Sequence, residues 1–478
     1  MTRTWLACLA LSLALAACGK ESPPDPYDPA KMDLKPLPAK MSGVRHKGAF
    51  AEGGNALSTG PELKPLDPSP VKTLRLDTTH KVIEIAPGVR YSAWTFGDQV
   101  PGPTIRARVG DRIRFSMTNR SDEAVPAPQL SPAAPMMHSM DFHAAMVSPQ
   151  DKYRSIAPGQ TIEFEFTLNY AGVFMYHCGT PMILEHIASG MYGALIVEPR
   201  NGYPTKVNRE YVVIQSEFYA KAPPKGAKSA VYTLDGEAVR AARPNYTVFN
   251  GRFNGMVDHP LPASPGDRVR LFLLNVGPSK TESFHVVGTI FDRVWMDGNP
   301  DNQFRGMQTV LLGSSGSAIV EFVIPENGSY IMVDHHFANA SQGAVGLIST
   351  EAKPSRTELE HHNFPASAQP SDAEAAQGKI DFESKCFACH SMGNGRKLGP
   401  DLAGVTKRRT NDWITSWLKS PEEMLAKDDQ AKALLKEYNG VPMANQTLSE
   451  KEIKQYLKYF QWYDAQPAGT VQSSGGGH

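Results

Sequence analysis

Cysteine is scarce in this chain, with five among 478 residues, too few for the disulfide framework that staples small secreted domains. The positions of the five leave none free for structural pairing. Net charge is absent, because Lys plus Arg and Asp plus Glu each number 49. With no basic stripe to meet a phosphate backbone, nucleic acid is excluded as a partner. From about residue 71 to 350 the helical 3.6-residue period is largely missing, and His-X-His occurs nowhere in the chain. What is present is ample core material: 41% of residues are apolar and 21% charged, which excludes wholesale disorder. The length predicts two to four domains.

The N-terminus carries Arg3 and then an apolar run, Trp5 to Ala17, too short to span a bilayer and therefore read as an export signal. Residues 1–18 end Leu15-Ala16-Ala17-Cys18, which resembles a bacterial lipoprotein signal in which the cysteine is acylated. The expected location is the periplasm, lipid-anchored to the outer membrane. Residues 19–75 hold ten prolines from Pro23 to Pro70 with little apolar periodicity, and are expected to form a semi-extended tether.

Short alternating runs with turn punctuation follow, so this region is read as all-β. It repeats itself. Gly110-Asp-Arg-Ile-Arg-Phe is echoed by Gly266-Asp-Arg-Val-Arg-Leu, and Thr161-Ile-Glu-Phe-Glu-Phe by Ala318-Ile-Val-Glu-Phe-Val. A spacing of about 156 residues suits two copies of one β-sandwich rather than a solenoid. The expected units are residues 76–200 and 201–350, a polar linker over 351–370, a helical domain over 371–465 and a disordered tail over 466–478. Helices are expected at Ala373 to Glu383, at Asn411 to Leu418, and after Ser449, where Ser449 and Glu452 have capping-box spacing.

In the helical domain Cys386-Phe387-Ala388-Cys389-His390 has two thiols spaced to form thioethers to one haem, with His390 as proximal iron ligand. Met443, in an irregular segment before the final helix, is the preferred second axial ligand over Met392 and Met424. Gly399-Pro400-Asp401-Leu402 resembles the loop that packs against the proximal histidine in class I cytochromes c.

Cys178, His186 and Met191, with His138 upstream, supply a thiolate, two imidazoles and a weak thioether, the ligand set of a blue copper centre. Successive strand residues point to opposite faces. If Cys178 faces this centre, His177 faces away from it, and Asp141 and His143 share a face with each other if their segment is extended. Two imidazoles and a carboxylate on that other side suggest a second metal, which normally wants three protein ligands and an open position.

These residues, with His285 in Phe284-His285-Val286 and His335 in Val333-Asp334-His335-His336, resemble the copper-containing nitrite reductases that carry a C-terminal cytochrome c. The resemblance spans roughly residues 75 to 465. It implies a mainly β chain of two tandem cupredoxin-like Greek-key β-sandwiches followed by an all-α class I cytochrome c domain. It also implies two copper ions per subunit, type 1 and type 2, and one haem c. The type 2 copper would be held by His143 and His177 with His335 of the next subunit in a homotrimer, and Asp141 and His285 would form the acid/base pair. The implied reaction is one-electron reduction of nitrite to nitric oxide, with electrons passing from haem to blue copper to catalytic copper and an external cytochrome or cupredoxin as a possible donor. The seven residues between Cys178 and His186 lie at the short end of the family's range. Parity lets only one of His335 and His336 reach the metal, and the family pattern favours His335. His46, His80, His259, His361, His362 and His478 are read as solvated or structural. The competing readings are a periplasmic copper/haem electron-transfer protein and a multicopper oxidase, the latter opposed by the absence of His-X-His.

Overall fold

The computed structural model describes residues 28–34, 37–123, 135–224, 227, 230–350, 370, 372–387, 389–393, 399–438, 440 and 442–466. The expected signal with Cys18, almost all of the linker and all of the tail beyond Gln466 lie outside the described residues.

The repeat seen in the sequence is a repeat of topology. In the first copy, strand Arg112–Thr118 runs parallel to Val71–Leu76 and antiparallel to Thr161–Thr167. In the second, Arg268–Gly277 runs parallel to Arg209–Phe218 and antiparallel to Ser317–Val323. The facing sheets match as well. Tyr192–Glu198 pairs parallel with Thr104–Arg108 and antiparallel with Gly172–His177, as Val345–Ser349 does with Leu261–Pro262 and Ser329–Asp334. Gly110 and Gly266, the glycines that open the echoed motif, both adopt positive φ, +94° and +84°, a turn geometry that side chains disfavour.

Each sandwich closes on its own core, the first around Phe115, Phe142, Phe164 and Tyr176, the second around Phe284, Phe291 and Phe322. A third apolar cluster joins them, with Val173, Met175, Tyr192 and Ile196 of the first packed against Ile214, Phe272, Leu274 and Trp295 of the second. Strand Gly172–His177 therefore serves two cores. Phe174, Tyr176 and the following Cys178 belong to the first core, and Val173 and Met175 to the interface between the sandwiches.

The C-terminal domain is helical. Its helices Ala373–Lys385, Asn411–Lys419 and Glu450–Asp464 match the expected ones, and the Ser449/Glu452 capping box is formed. Three further helices, Val405–Arg408, Pro421–Lys427 and Asp429–Glu437, were not expected.

Of the tether expected over 19–75, residues 19–27, 35 and 36 lie outside the described residues, and the expectation is corrected for residues 40–58. Lys40–Ser42 pairs with Thr161–Thr167, Ala51–Glu52 with Val71–Leu76, and Leu57–Ser58 with Thr104–Arg108. Ala56 and Leu57 are buried in the first core, and His46 Nδ1 lies 3.0 Å from Asp77 Oδ1. Strands of two or three residues are too short to display alternation, and backbone pairing rather than side-chain pattern holds them. Deleting residues 40–58 is expected to lower the stability of the first sandwich by at least about 2 kcal/mol, the worth of one buried leucine. Calorimetry of the unfolding transition checks this, since a mere spacer predicts no change.

Candidate metal centres

Among the described residues, metal-competent side chains gather in four places. The first sits inside the first sandwich. His138, Cys178 and His186 are all buried, and one ligand atom from each lies within 4.8 Å of the others. His138 Nδ1 is 3.9 Å from Cys178 Sγ, a gap that one ion can bridge with bonds of about 2.0 and 2.3 Å. Met191 is fully buried, and backbone bonds tie it to its neighbours, Cys178 N donating to Met191 O and Met191 N to His186 O, both at 3.2 Å. The short loop after Cys178 folds into helix Ile183–Ala188, which carries His186 back over the strand end. Among the described residues, His186 Nδ1 is buried without a hydrogen-bond partner, as a nitrogen reserved for a metal would be. Burial pushes the Cys178 thiol up, opposed by the Ser139 N–H that it accepts at 3.4 Å.

The second group lies on the opposite face of the same strand. Asp141 stands directly across from His177 in the register of two antiparallel strands, and both lie with His143 in one cluster. His143 Nε2 and His177 Nε2 are 3.0 Å apart with rings at 79°, and Asp141 Oδ2 is 3.8 Å from His177 Nε2. His177 Nδ1 donates to its neighbour's carbonyl, Cys178 O, at 2.9 Å, which leaves Nε2 as the ring's electron-pair donor. Burial and His177 depress the His143 pKa, and Asp141 opposes them.

His285 and His335 form a separate pair on the second sandwich, their rings 5.3 Å apart. Among the described residues they are not part of the Asp141, His143 and His177 group. His285 Nδ1 donates to Gln308 O at 2.6 Å, a partner that the sequence reading missed because no side chain signals a backbone acceptor. His335 is exposed and stacks edge-on to Phe337 at 4.9 Å. The adjacent His336 places Nδ1 3.2 Å from Thr281 Oγ1.

In the helical domain a single turn gathers the haem motif. Cys386 caps helix Ala373–Lys385, and Cys389 N and His390 N both donate to Cys386 O, at 3.0 and 2.9 Å. His390 Nδ1 donates to Pro400 O at 2.9 Å, and a Cβ at Gly399 would lie only 2.5 Å from His390 Cε1. The loop expected to pack on the proximal histidine does so. Met443 packs against the same core, and its sulfur accepts from Trp417 Nε1 at 2.9 Å.

Of the solvated and structural alternatives, His80 takes the structural one, being 2% exposed and placing Nε2 2.9 Å from His138 Nε2. Its position in a strand gave no local signal, because the contact spans 58 residues of sequence.

Two cupredoxin-like sandwiches, one with a buried cysteine and two buried imidazoles, joined to a cytochrome c fold define a redox protein of the copper and haem class. A family profile described as multicopper oxidase matches residues 77–202, and one described as cytochrome c matches residues 375–463. The copper-containing nitrite reductase of Neisseria meningitidis serogroup B is 36% identical over 364 residues, covering 73% of this chain and 89% of that protein. The copper-containing nitrite reductase of Neisseria gonorrhoeae is 35% identical over 362 residues, covering 73% and 88%. The solved copper nitrite reductase of Nitrosomonas europaea aligns with a TM-score of 0.51 at 34% identity, over 59% of this chain and 94% of that one. This chain belongs to the copper-containing nitrite reductase family and carries in addition a C-terminal cytochrome c domain.

Burial, with His80 alongside, pushes His186 down to about 4, and burial depresses His138 as well. Both imidazoles are neutral at pH 7, the form that binds metal. A histidine whose folded pKa is depressed contributes stability that is complete above its ordinary value near 6.5 and is lost as pH falls towards 4. The metal-free protein is expected to lose up to about 3 kcal/mol through His186 over that window. Calorimetry against pH checks this, and His186→Gln should flatten the slope.

Proposed function

We propose that this chain reduces nitrite to nitric oxide, with electrons passing from the haem held by Cys386, Cys389, His390 and Met443 to a type 1 copper and then to a type 2 copper. His138, Cys178, His186 and Met191 would hold the first copper, and His143 and His177 with His335 of the next subunit the second. The observation that carries this reading is that consecutive residues, His177 and Cys178, enter two different clusters on opposite faces of one strand. That adjacency provides a short covalent path between one-electron centres. The named substrate of the relatives, nitrite, supports the assignment.

Copper and haem, when bound, supply one-electron transfer and a Lewis-acidic position for the anion. The reaction takes nitrite, one electron and two protons to nitric oxide and water, so the protein must deliver protons. Asp141, beside His177, and His285, whose Nδ1 is committed to Gln308 O, are groups able to hold and pass them. His285 lies on an outward face with exposed Val287, Leu311 and Ile331 around it. Exposed apolar side chains around a catalytic histidine favour coverage by a second copy of the chain, and a closed ring of three would complete three equivalent sites. Export to the periplasm and acylation at Cys18 remain part of this proposal, on the sequence of residues 1–18.

Reciprocal losses test the two-centre assignment. His177→Ala is expected to abolish nitrite reduction and remove one copper while keeping the intense visible thiolate band. Cys178→Ala is expected to abolish that band and leave a copper that still binds nitrite. Loss of the band in both variants counts against two sites.

Sharing of the catalytic copper between subunits is tested by mixing. Chains carrying His143→Ala and chains carrying His335→Ala are each expected to be inactive, and co-assembled oligomers to regain activity and copper at those interfaces that retain all three histidines. No recovery in verified mixed oligomers overturns the shared site.

A further inference from the structure

The hairpin formed by Thr78–Ala86 and Val89–Phe96 lies outside both five-stranded sheets of the first sandwich. Its register sets His80 directly opposite Trp94, and their rings stack 5.4 Å apart at 20°. This pair faces the two imidazoles of the thiolate centre. The Trp94 ring meets His186 edge-on at 4.9 Å and lies 5.8 Å from His138. His80 meets His138 at 79°, with 2.9 Å between the two Nε2 atoms.

His138 is thereby held at both ring nitrogens, Nδ1 facing Cys178 Sγ and Nε2 facing His80. A neutral imidazole carries one proton. If His80 donated the bridging proton, His138 would keep its own on Nδ1, and that nitrogen would have no lone pair for a metal. If His138 donates through Nε2, its Nδ1 lone pair points at the thiolate side. Only the second arrangement is compatible with a metal at this centre.

We propose that His80 is a positioning residue for the thiolate-bound copper, accepting the Nε2 proton of His138 and so fixing both the tautomer and the ring orientation of that ligand. The proposal rests on the type 1 assignment of His138, Cys178, His186 and Met191. It extends that assignment to the hairpin, an element that supplies no metal ligand. Outer hydrogen bonds of this kind typically carry ten- to a hundredfold in metal affinity. Trp94 completes the clamp by packing, since its ring contacts both imidazoles while its backbone N donates at 2.9 Å to the carbonyl of Ser189, the residue that caps the C-terminus of the helix carrying His186.

The test uses the full chain loaded with copper and haem. His80→Leu removes the acceptor while preserving an apolar fill, and His80→Gln retains an amide oxygen able to accept. The Leu variant is expected to lose copper from the thiolate site roughly ten- to a hundredfold more readily, with a shifted visible band and altered EPR hyperfine splitting. The Gln variant should restore both towards wild type. Pulsed EPR of the wild-type protein, which reads the remote ring nitrogens of bound imidazoles, needs no substitution and serves if the Leu variant does not fold. Read at the thiolate-bound copper, whose two imidazoles are His138 and His186, it should find one remote nitrogen in a hydrogen bond protected from exchange in D2O.

Wild-type spectra and copper affinity in the Leu variant would overturn the proposal. So would equal damage in both variants, which marks a packing role, or two remote nitrogens that both exchange freely. An additional copper per chain, lost in both variants, would make His80 a ligand instead and overturn it equally. Absence of the thiolate band in the wild-type protein would count against the type 1 assignment itself, and so is distinguishable from failure of the His80 role.

Discussion

Adjacent side chains on a β-strand point to opposite sides, and the strand Gly172–His177 turns that rule into an architecture. One row of its residues fills the core of the first sandwich and ends in Cys178, while the alternate row packs on the second sandwich and ends in His177. Both rows must be covered, so the strand needs a sandwich on each side. A single cupredoxin-like unit would leave Val173 and Met175 bare. The second copy, which has no cysteine of its own, covers that face and brings His285 and His335 into the chain.

A common device orients the imidazoles outside the thiolate centre. His177, His285 and His390 each commit Nδ1 to a backbone carbonyl, those of Cys178, Gln308 and Pro400. A carbonyl can only accept, so the proton is fixed on Nδ1 and Nε2 is left with its lone pair. His138 is arranged in the reverse sense, with Nδ1 turned to the thiolate and Nε2 to another side chain. Sites in all three domains of the chain thus share one principle, namely that the outer nitrogen of the ring determines what the inner one can do.

The parts of this arrangement that could be read from sequence are those carried by short-range pattern. The echoed glycine-led strands revealed the two sandwiches, and the Ser449 and Glu452 spacing located the last helix. The Cys386 to His390 motif needed only five consecutive residues. Parity around Cys178 separated two sets of side chains without any knowledge of distance. The three small strands between Lys40 and Ser58 escaped because two or three residues hold no period, and their proline-rich surroundings read as a spacer. His80 escaped for a different reason. A histidine in an alternating strand looks the same whether it meets solvent or another buried histidine 58 residues away.

The sequence by itself determined residue types and local geometry: which side chains are able to bind metal, which of them share a strand face, and where helices begin. Those properties depend on bonds and torsions within a few residues. Tertiary structure alone decided which distant groups meet, namely His138 with Cys178, His80 with His138, and Asp141 with His177, because strand pairing and core packing set these separations. It also decided that His285 and His335 stand apart from the Asp141 cluster on an outward face of the second sandwich, since only the packing of whole sheets fixes which face remains uncovered.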